Sequence, residues 1–116
     1  MDKAYAYVLP ETNLKFEGYA RDCGLMSQSE LLKLLIRREL RLRRLPTENS
    51  LRTGSRQSPA QGRRKITAHL GLDLGSSFEK HVGQLGLSTS CAASLLVQNE
   101  LSERWLEAAI AWEPAE

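Results

Sequence analysis

The sequence predicts a mostly α-helical protein with one two-stranded antiparallel β-ribbon, formed by two β-α-α copies on a single chain. The first observation behind this is an internal repeat, because residues 16–40 recur at 78–101 with one inserted residue. The second is that each copy opens with alternating polar and apolar residues, which is typical of a strand, and continues with helical spacing of apolar residues. The predicted order is therefore β-α-α, a linker and β-α-α again, as a single-chain pseudo-dimer in one domain with a shared core.

The repeat defines the boundaries of the two copies. The aligned pairs are first 62 and then 61 residues apart, and the change of offset comes from the extra Met26. Representative pairs are Phe16 with Phe78, Gly24 with Gly86, Ser27 with Ser88, Ile36 with Val97, and Glu39 with Glu100. The first copy is predicted at 1–45 and the second at 63–116. Residues 46–62 are rich in Pro, Gly, Ser and Gln, and predict a flexible linker.

The opening segment of each copy alternates with a period of two, and its polar positions align between the copies. The predicted outward-facing residues are Lys3, Tyr5 and Tyr7 in the first copy and Lys65, Thr67 and His69 in the second. The predicted inward-facing residues are Ala4, Ala6, Val8, Ile66, Ala68 and Leu70. A lone strand leaves its hydrogen-bonding groups unpaired, and about 45 residues bury too little core alone. We therefore expect the two segments to pair with each other, antiparallel.

Two helices follow each strand. The first is predicted to end at Gly24 or Gly86, each followed by a leucine that can close a Schellman cap. The second is predicted to begin at serines, with the capping-box spacing of Ser27 and Glu30 in the first copy. Its apolar residues cover too many faces for packing on one side, which predicts a helix lying across its twin. In the second copy this helix is predicted to continue through Trp105, Leu106 and Ile110.

Composition and charge narrow the classes of function. The chain has 116 residues, 41% hydrophobic and 26% charged, which is typical of a globular protein, and no apolar run of membrane-spanning length. With no secretory signal pattern, we expect a cytoplasmic protein without membrane association. The isolated Cys23 and Cys91 predict neither disulfide, metal site nor cofactor. Residues 1–65 hold 14 Lys and Arg against 7 Asp and Glu, and residues 66–116 hold 2 against 7, so the basic half favours a polyanionic partner.

A short strand, a helix ending in Gly-Leu and a Ser-x-Ser start of a longer helix together resemble the ribbon-helix-helix family, the Arc/MetJ/CopG type. Members of this family normally form homodimers, whereas here both copies lie on one chain. Such fused versions are similar to accessory DNA-binding proteins of conjugative plasmid and T-DNA transfer. The resemblance implies sequence-specific binding of double-stranded DNA by a non-enzyme, with a relaxase complex as a further partner. It leaves open whether pseudo-dimers assemble further along the DNA.

The resemblance also implies where DNA is bound. The ribbon enters the major groove, and bases are read by Lys3, Tyr5, Tyr7, Lys65, Thr67 and His69. Phosphates are bound by Ser27, Ser29, Ser88, Thr89 and Ser90 at the helix starts, and by Arg63 and Arg64. The sequence does not decide whether the arginines of the second helix face DNA or solvent. These are Arg37, Arg38, Arg41, Arg43 and Arg44. Because the copies differ, we expect a non-palindromic or imperfectly palindromic target.

The sequence leaves alternatives to a DNA-binding accessory factor of DNA transfer. Within DNA binding, the alternative is a transcriptional repressor or antitoxin-type autoregulator. Outside it, the alternative is a protein-interaction module in which the acidic second half binds a partner. Residues 72–77 look like the first phosphate loop of actin-like ATPases, but that fold needs a much longer chain. His69 and His81 have no acid or nucleophile at motif spacing, so we expect no enzymatic activity.

Overall fold

The computed structural model describes residues 2–45 and 63–111, which form a mostly helical protein with one two-stranded antiparallel sheet, as predicted. In chain order its elements are β1 (Lys3–Val8), α1 (Pro10–Asp22), α2 (Gln28–Leu42), β2 (Arg64–His69), α3 (Gly71–Gln84), α4 (Thr89–Glu103) and α5 (Trp105–Ala111). The predicted linker at 46–62 lies outside the described residues. No helix within the two described ranges is both long and apolar enough to cross a membrane.

Strands β1 and β2 pair along their whole length. The register places Lys3 opposite His69 at one end and Val8 opposite Arg64 at the other, which confirms the predicted antiparallel pairing. The residues predicted to face inward are all buried: Ala4, Ala6, Val8, Ile66, Ala68 and Leu70. Those predicted to face outward are exposed or half-buried. Alternation with a period of two therefore assigned each side chain to its correct face.

The helices cross over between the two halves of the chain. Helix α4 packs along β1 and helix α2 packs along β2, so each strand lies on the second helix of the other half. Helices α2 and α4 also contact each other. One cluster of buried side chains draws on both halves, with Phe16 and Phe78 fully inside it. The inner face of the sheet is rich in alanine, so these helices can approach the strands closely.

Helices α1 and α3 end in matching turns. Gly24 has φ +85° and Gly86 has φ +79°, in the left-handed region that glycine adopts without steric cost. The Leu25 N–H donates to the Ala20 carbonyl, and the Leu87 N–H donates to the Val82 carbonyl, each at 3.0 Å. These bonds across five residues confirm both predicted Schellman caps.

Helices α2 and α4 begin at serines, as predicted. The Ser27 hydroxyl accepts from the Glu30 N–H at 3.3 Å, and the Ser88 hydroxyl accepts from the Cys91 N–H at 3.0 Å. The Glu30 carboxylate accepts from the Met26 N–H, one residue before the N-cap. The reciprocal bonds of a capping box are therefore present, with the carboxylate displaced outward by one residue.

The predicted continuation of the last long helix through Trp105, Leu106 and Ile110 is wrong. Helix α4 ends at Glu103, Arg104 adopts φ +52°, and α5 begins at Trp105. Helix α2 ends in the same way, with Arg43 at φ +50°. After the break, Leu106 is buried and its N–H donates to the Glu100 carboxylate. The side chain of Ile110 lies outside the described residues.

At the ends of α2 and α4, a buried carboxylate accepts hydrogen bonds from the backbone N–H groups that follow the helix. Glu100 is 1% exposed and accepts from the Leu106 N–H at 2.7 Å and from the Tyr19 hydroxyl. Glu39 is 4% exposed and accepts from the N–H groups of Arg44 and Leu45, both at 3.1 Å. A buried carboxylate without such donors would destabilise the fold, so these bonds stabilise the chain where α2 and α4 end.

An aromatic side chain from the other half of the chain contacts each buried glutamate. The glutamate and its hydrogen-bonded partners form one cluster at the end of α2 and one at the end of α4. His81 Nε2 lies 2.7 Å from Glu39 Oε2, and Tyr19 donates to Glu100. Tyr19 and His81 are 62 residues apart, the offset of the repeat in this region. Burial, followed by the hydrogen bond to Glu100, raises the pKa of the Tyr19 phenol, which therefore remains a proton donor.

Replacing Gly24 by alanine should lower the free energy of unfolding by about 1 kcal/mol, because a Cβ is strained at its positive φ. Gly18 is the matched control, since it lies inside α1 and an added Cβ would meet nothing within 4 Å. Gly18→Ala should raise the free energy of unfolding by about 0.5–1 kcal/mol. Urea unfolding followed by circular dichroism measures both, and equal effects of the two variants would contradict the assigned cap.

Replacing His81 by phenylalanine should lower the free energy of unfolding by about 2 kcal/mol, because the Glu39 carboxylate loses one of its buried partners. His81→Tyr introduces the residue that occupies the matching position 19 in the first half. It should lower the free energy of unfolding by less than about 1 kcal/mol, because a hydroxyl donor is retained. Thermal and urea unfolding of the two variants make the comparison. Equal losses would show that the polar contact contributes nothing and that only ring packing matters.

Candidate nucleic-acid interface

Six polar side chains lie together on one face of the sheet, opposite the face on which the helices pack. We call this the outer ribbon face: Lys3, Tyr5, Tyr7, Lys65, Thr67 and His69. The register groups them into three cross-strand pairs, Lys3–His69, Tyr5–Thr67 and Tyr7–Lys65. The structure thus brings together every residue predicted to read bases. Their ammonium, phenol, hydroxyl and imidazole groups offer both donors and acceptors, as recognition of base edges requires.

The middle of the outer ribbon face contains a cation–π contact. Lys65 Nζ lies 5.0 Å from the centroid of the Tyr5 ring, on the neighbouring strand. Such a contact at an exposed site contributes about 0.5–1 kcal/mol. It restricts the lysine to a position over the ribbon without using any of the hydrogen-bond donors of its ammonium group. Those donors therefore remain available to a ligand.

A serine on α4 holds the edge of β1. The Ser94 hydroxyl accepts from the Tyr7 N–H at 3.1 Å and donates to the Tyr7 carbonyl at 3.2 Å. Both backbone groups face away from β2, so this bond satisfies an otherwise unpaired strand edge. Sequence reasoning missed Ser94, because the repeat aligns it with Lys33 and gives no sign of a shared role. The contact fixes Tyr7 and brings the second turn of α4 to this end of the ribbon.

The two ends of the ribbon carry different charges. Exposed Arg64 lies opposite Val8, next to Lys65, and half-buried Arg63 precedes it in the chain. At the other end, the Asp2 carbonyl accepts from the Leu70 N–H at 2.7 Å, which places Asp2 beside the Lys3–His69 pair. Positive charge is thus concentrated at the end where β2 begins.

The predicted phosphate-binding serines lie at the starts of α2 and α4. Ser27 and Ser88 act as N-caps, and their hydroxyl protons are still free to be donated. Half-buried Ser29, Thr89 and Ser90 lie in the first turns, where unpaired N–H groups favour anions. The two helix starts are not equivalent, because the first turn of α2 contains Glu30 and that of α4 contains no acidic residue. An anion is therefore disfavoured at α2 relative to α4.

Two of the five arginines of α2 and the turn after it contact the second half of the chain. The Arg38 guanidinium stacks over the Trp105 ring at 4.3 Å, and Arg44 lies 3.6 Å from a Glu103 carboxylate oxygen. These two arginines therefore contact α4 and α5. Arg37, Arg41 and Arg43 are exposed.

Other candidate chemistry is weak in the part of the chain that the structure describes. Residues 72–77, the segment that looks like a phosphate loop, lie inside α3. No group of three His, Cys, Asp or Glu side chains among the described residues is placed to hold a metal ion. Burial raises the pKa of the Cys23 and Cys91 thiols, which keeps both protonated and weakly nucleophilic.

Comparisons of the chain with protein-family models, with curated proteins and with solved structures gave no match. The features of the chain that bear on its function are therefore the outer ribbon face, the charge of that face and the fold that supports it.

Proposed function

We propose that this protein binds double-stranded DNA sequence-specifically by inserting the outer ribbon face into the major groove. The observation that carries the proposal is the register of β1 and β2, which collects six polar side chains on the face opposite the helices. The major groove is about 12 Å wide and admits a two-stranded ribbon. Helix packing on the inner face supports the ribbon as a rigid unit that can enter the groove.

We infer that the two halves are related by a pseudo-two-fold axis, as in a ribbon-helix-helix dimer fused into one chain. The axis passes through the Tyr5–Thr67 pair, whose members are 62 residues apart, and relates Lys3–His69 to Lys65–Tyr7. Other pairs at the repeat offsets support it: the glycines of the two Schellman caps, the arginines that end α2 and α4, and the two buried glutamates. Helix α5 is then an addition after the second copy.

The side chains of the outer ribbon face suit different base contacts. The ammonium groups of Lys3 and Lys65 match the O6 and N7 acceptors of guanine. Thr67 can hydrogen-bond to a base or contact a thymine methyl group, whereas Tyr5 and Tyr7 can contact sugars, methyl groups or phosphates. Each well-made contact contributes about 1–3 kcal/mol of discrimination between bases. A few such contacts are enough for specific binding.

The biological role that we favour is an accessory factor for conjugative plasmid or T-DNA transfer, acting beside a relaxase complex. The support is the tandem arrangement of two diverged copies on one chain, which is similar to proteins of that kind. A repressor or antitoxin-type autoregulator would use the same ribbon. The location of the selected DNA sites separates these roles, because an autoregulator binds beside its own promoter and a transfer factor binds near a transfer origin or border.

The variant Lys65→Ala/Thr67→Ala should bind its selected DNA at least about tenfold more weakly, because it loses two base contacts of about 1–3 kcal/mol each. Lys80→Ala, which removes the same charge from an exposed position late in α3, should change affinity less than about twofold. Fluorescence anisotropy at two salt concentrations measures both variants. Unchanged DNA binding by the double variant would contradict the ribbon as the reader, and loss of a protein partner instead would favour an interaction module.

The variant Arg63→Gln/Arg64→Gln should weaken specific and non-specific DNA binding alike, because arginines at the ribbon end contact phosphates and not base edges. The slope of log K against log salt concentration should fall in magnitude by about 2. Lys15→Gln/Lys80→Gln removes two charges from exposed positions on α1 and α3 and should leave the slope unchanged. An equal reduction in both variants would show that only net charge matters.

A further inference from the structure

We propose that the ribbon binds its DNA in one fixed orientation, with the Arg64 end over one half-site and the Asp2 end over a different half-site. This inference rests on the proposed function and specifies the DNA that it recognises. It depends on two differences between positions related by the pseudo-two-fold axis, one in the side chains that face bases and one in the charge of the ribbon ends.

The first difference lies in the three cross-strand pairs of the outer ribbon face. The axis exchanges Lys3 with Lys65, so both half-sites meet the same ammonium group at the same position. It also exchanges His69 with Tyr7, which offer different hydrogen-bonding groups. The bases next to the lysines should therefore repeat in inverted order, whereas those next to His69 and Tyr7 should not.

The centre of the ribbon breaks the symmetry as well. Tyr5 and Thr67 face each other on the axis, and only Tyr5 has a ring, which the Lys65 ammonium approaches to 5.0 Å. Thr67 occupies the matching position in the other half, and it offers Lys3 no ring for such a contact. The two lysines thus offer the same ammonium group, but they are not held in the same way. Of the two, Lys65 is the one held over the ribbon, by the Tyr5 ring.

The second difference lies in the ends of the ribbon. Arg64 and Asp2 are 62 residues apart and occupy matching positions, so the formal charge reverses between the two ends. Half-buried Arg63 adds a further positive charge at the Arg64 end. The first turns of α1 and α3 each contain one acid, Glu11 and Asp73, so these contributions cancel.

Distance keeps the two ends electrostatically separate. Five residue steps separate the first and last pairs of the ribbon, which is about 17 Å at 3.4 Å per residue. This exceeds the Debye length of about 8 Å at physiological salt, so each end acts on the phosphates nearest to it. We therefore expect more and stronger phosphate contacts on the half-site beneath Arg63, Arg64 and Lys65.

The experiment begins with selection of bound duplexes from random DNA by the full chain. The selected sequence is divided into half-site A, read by Lys3 and His69, and half-site B, read by Lys65 and Tyr7. Wild-type protein should bind the A–B duplex about tenfold more tightly than the A–A or B–B palindromes, which is the loss expected from one or two mismatched contacts.

A symmetrised ribbon supplies the decisive comparison. In Tyr5→Thr/Tyr7→His both strands present Lys, Thr and His in the same order, so the preference should reverse to the A–A palindrome by about tenfold. Both substitutions lie on the outer ribbon face, and circular dichroism with thermal unfolding checks that the fold is retained. A wild-type protein that selects a perfect inverted repeat, or a symmetrised variant that still prefers A–B, would overturn the fixed orientation.

Phosphate ethylation interference tests the charge difference separately. Interference by wild-type protein should be stronger on half-site B, and Arg63→Gln/Arg64→Gln should make the two half-sites nearly equal without changing the selected bases. Even interference in the wild-type protein would overturn this part of the inference. A selection that yields no preferred sequence at all would instead contradict the proposed function, so the two failures are distinguishable.

Discussion

The antiparallel pairing of β1 with β2 is the interaction on which the other features depend. Each strand has only six residues and comes from a different half of the chain, so neither has a hydrogen-bonded neighbour until the halves meet. Pairing also aligns the two apolar faces into one surface, which α2 and α4 then cover. The outer ribbon face is a consequence of the same event. Its six side chains share a face only because their strands are in this register, so folding and assembly of the candidate interface are one process.

The buried carboxylates link the helices of the two halves to each other. Tyr19 on α1 bonds Glu100 on α4, and His81 on α3 contacts Glu39 on α2, so each cluster joins a first helix to the second helix of the other half. Apolar contacts alone tolerate sliding of one helix along another, whereas a desolvated carboxylate requires its donors at fixed positions. Ser94 adds a similar polar contact between α4 and β1. The Ser94 bonds hold α4 at a fixed position along β1, and the carboxylate bonds hold the helices to each other.

Local signals predicted most of the fold and all six residues of the outer ribbon face. These signals involve residues that lie close together in the chain, so they can be recognised in a single sequence. They are the period-two alternation, the glycines at 24 and 86, and the serines at 27 and 88. The break at Arg104 gave no such signal, because a non-glycine residue adopts a left-handed conformation there while Glu100 accepts the N–H of Leu106. Ser94 was missed for the same reason. Both features depend on contacts that exist only after packing.

The two halves of the chain share some residues at matching positions and differ at others. Some buried positions are the same in both halves, as with Phe16 and Phe78 in the core and with Glu39 and Glu100 at the helix ends, whereas Tyr19 and His81 differ. On the outer ribbon face, the positions of Tyr5 and Tyr7 are occupied in the other half by Thr67 and His69. In a homodimer the two strands are identical by necessity. A single chain removes that constraint, so residues at matching positions of the outer ribbon face can differ, as Tyr7 and His69 do.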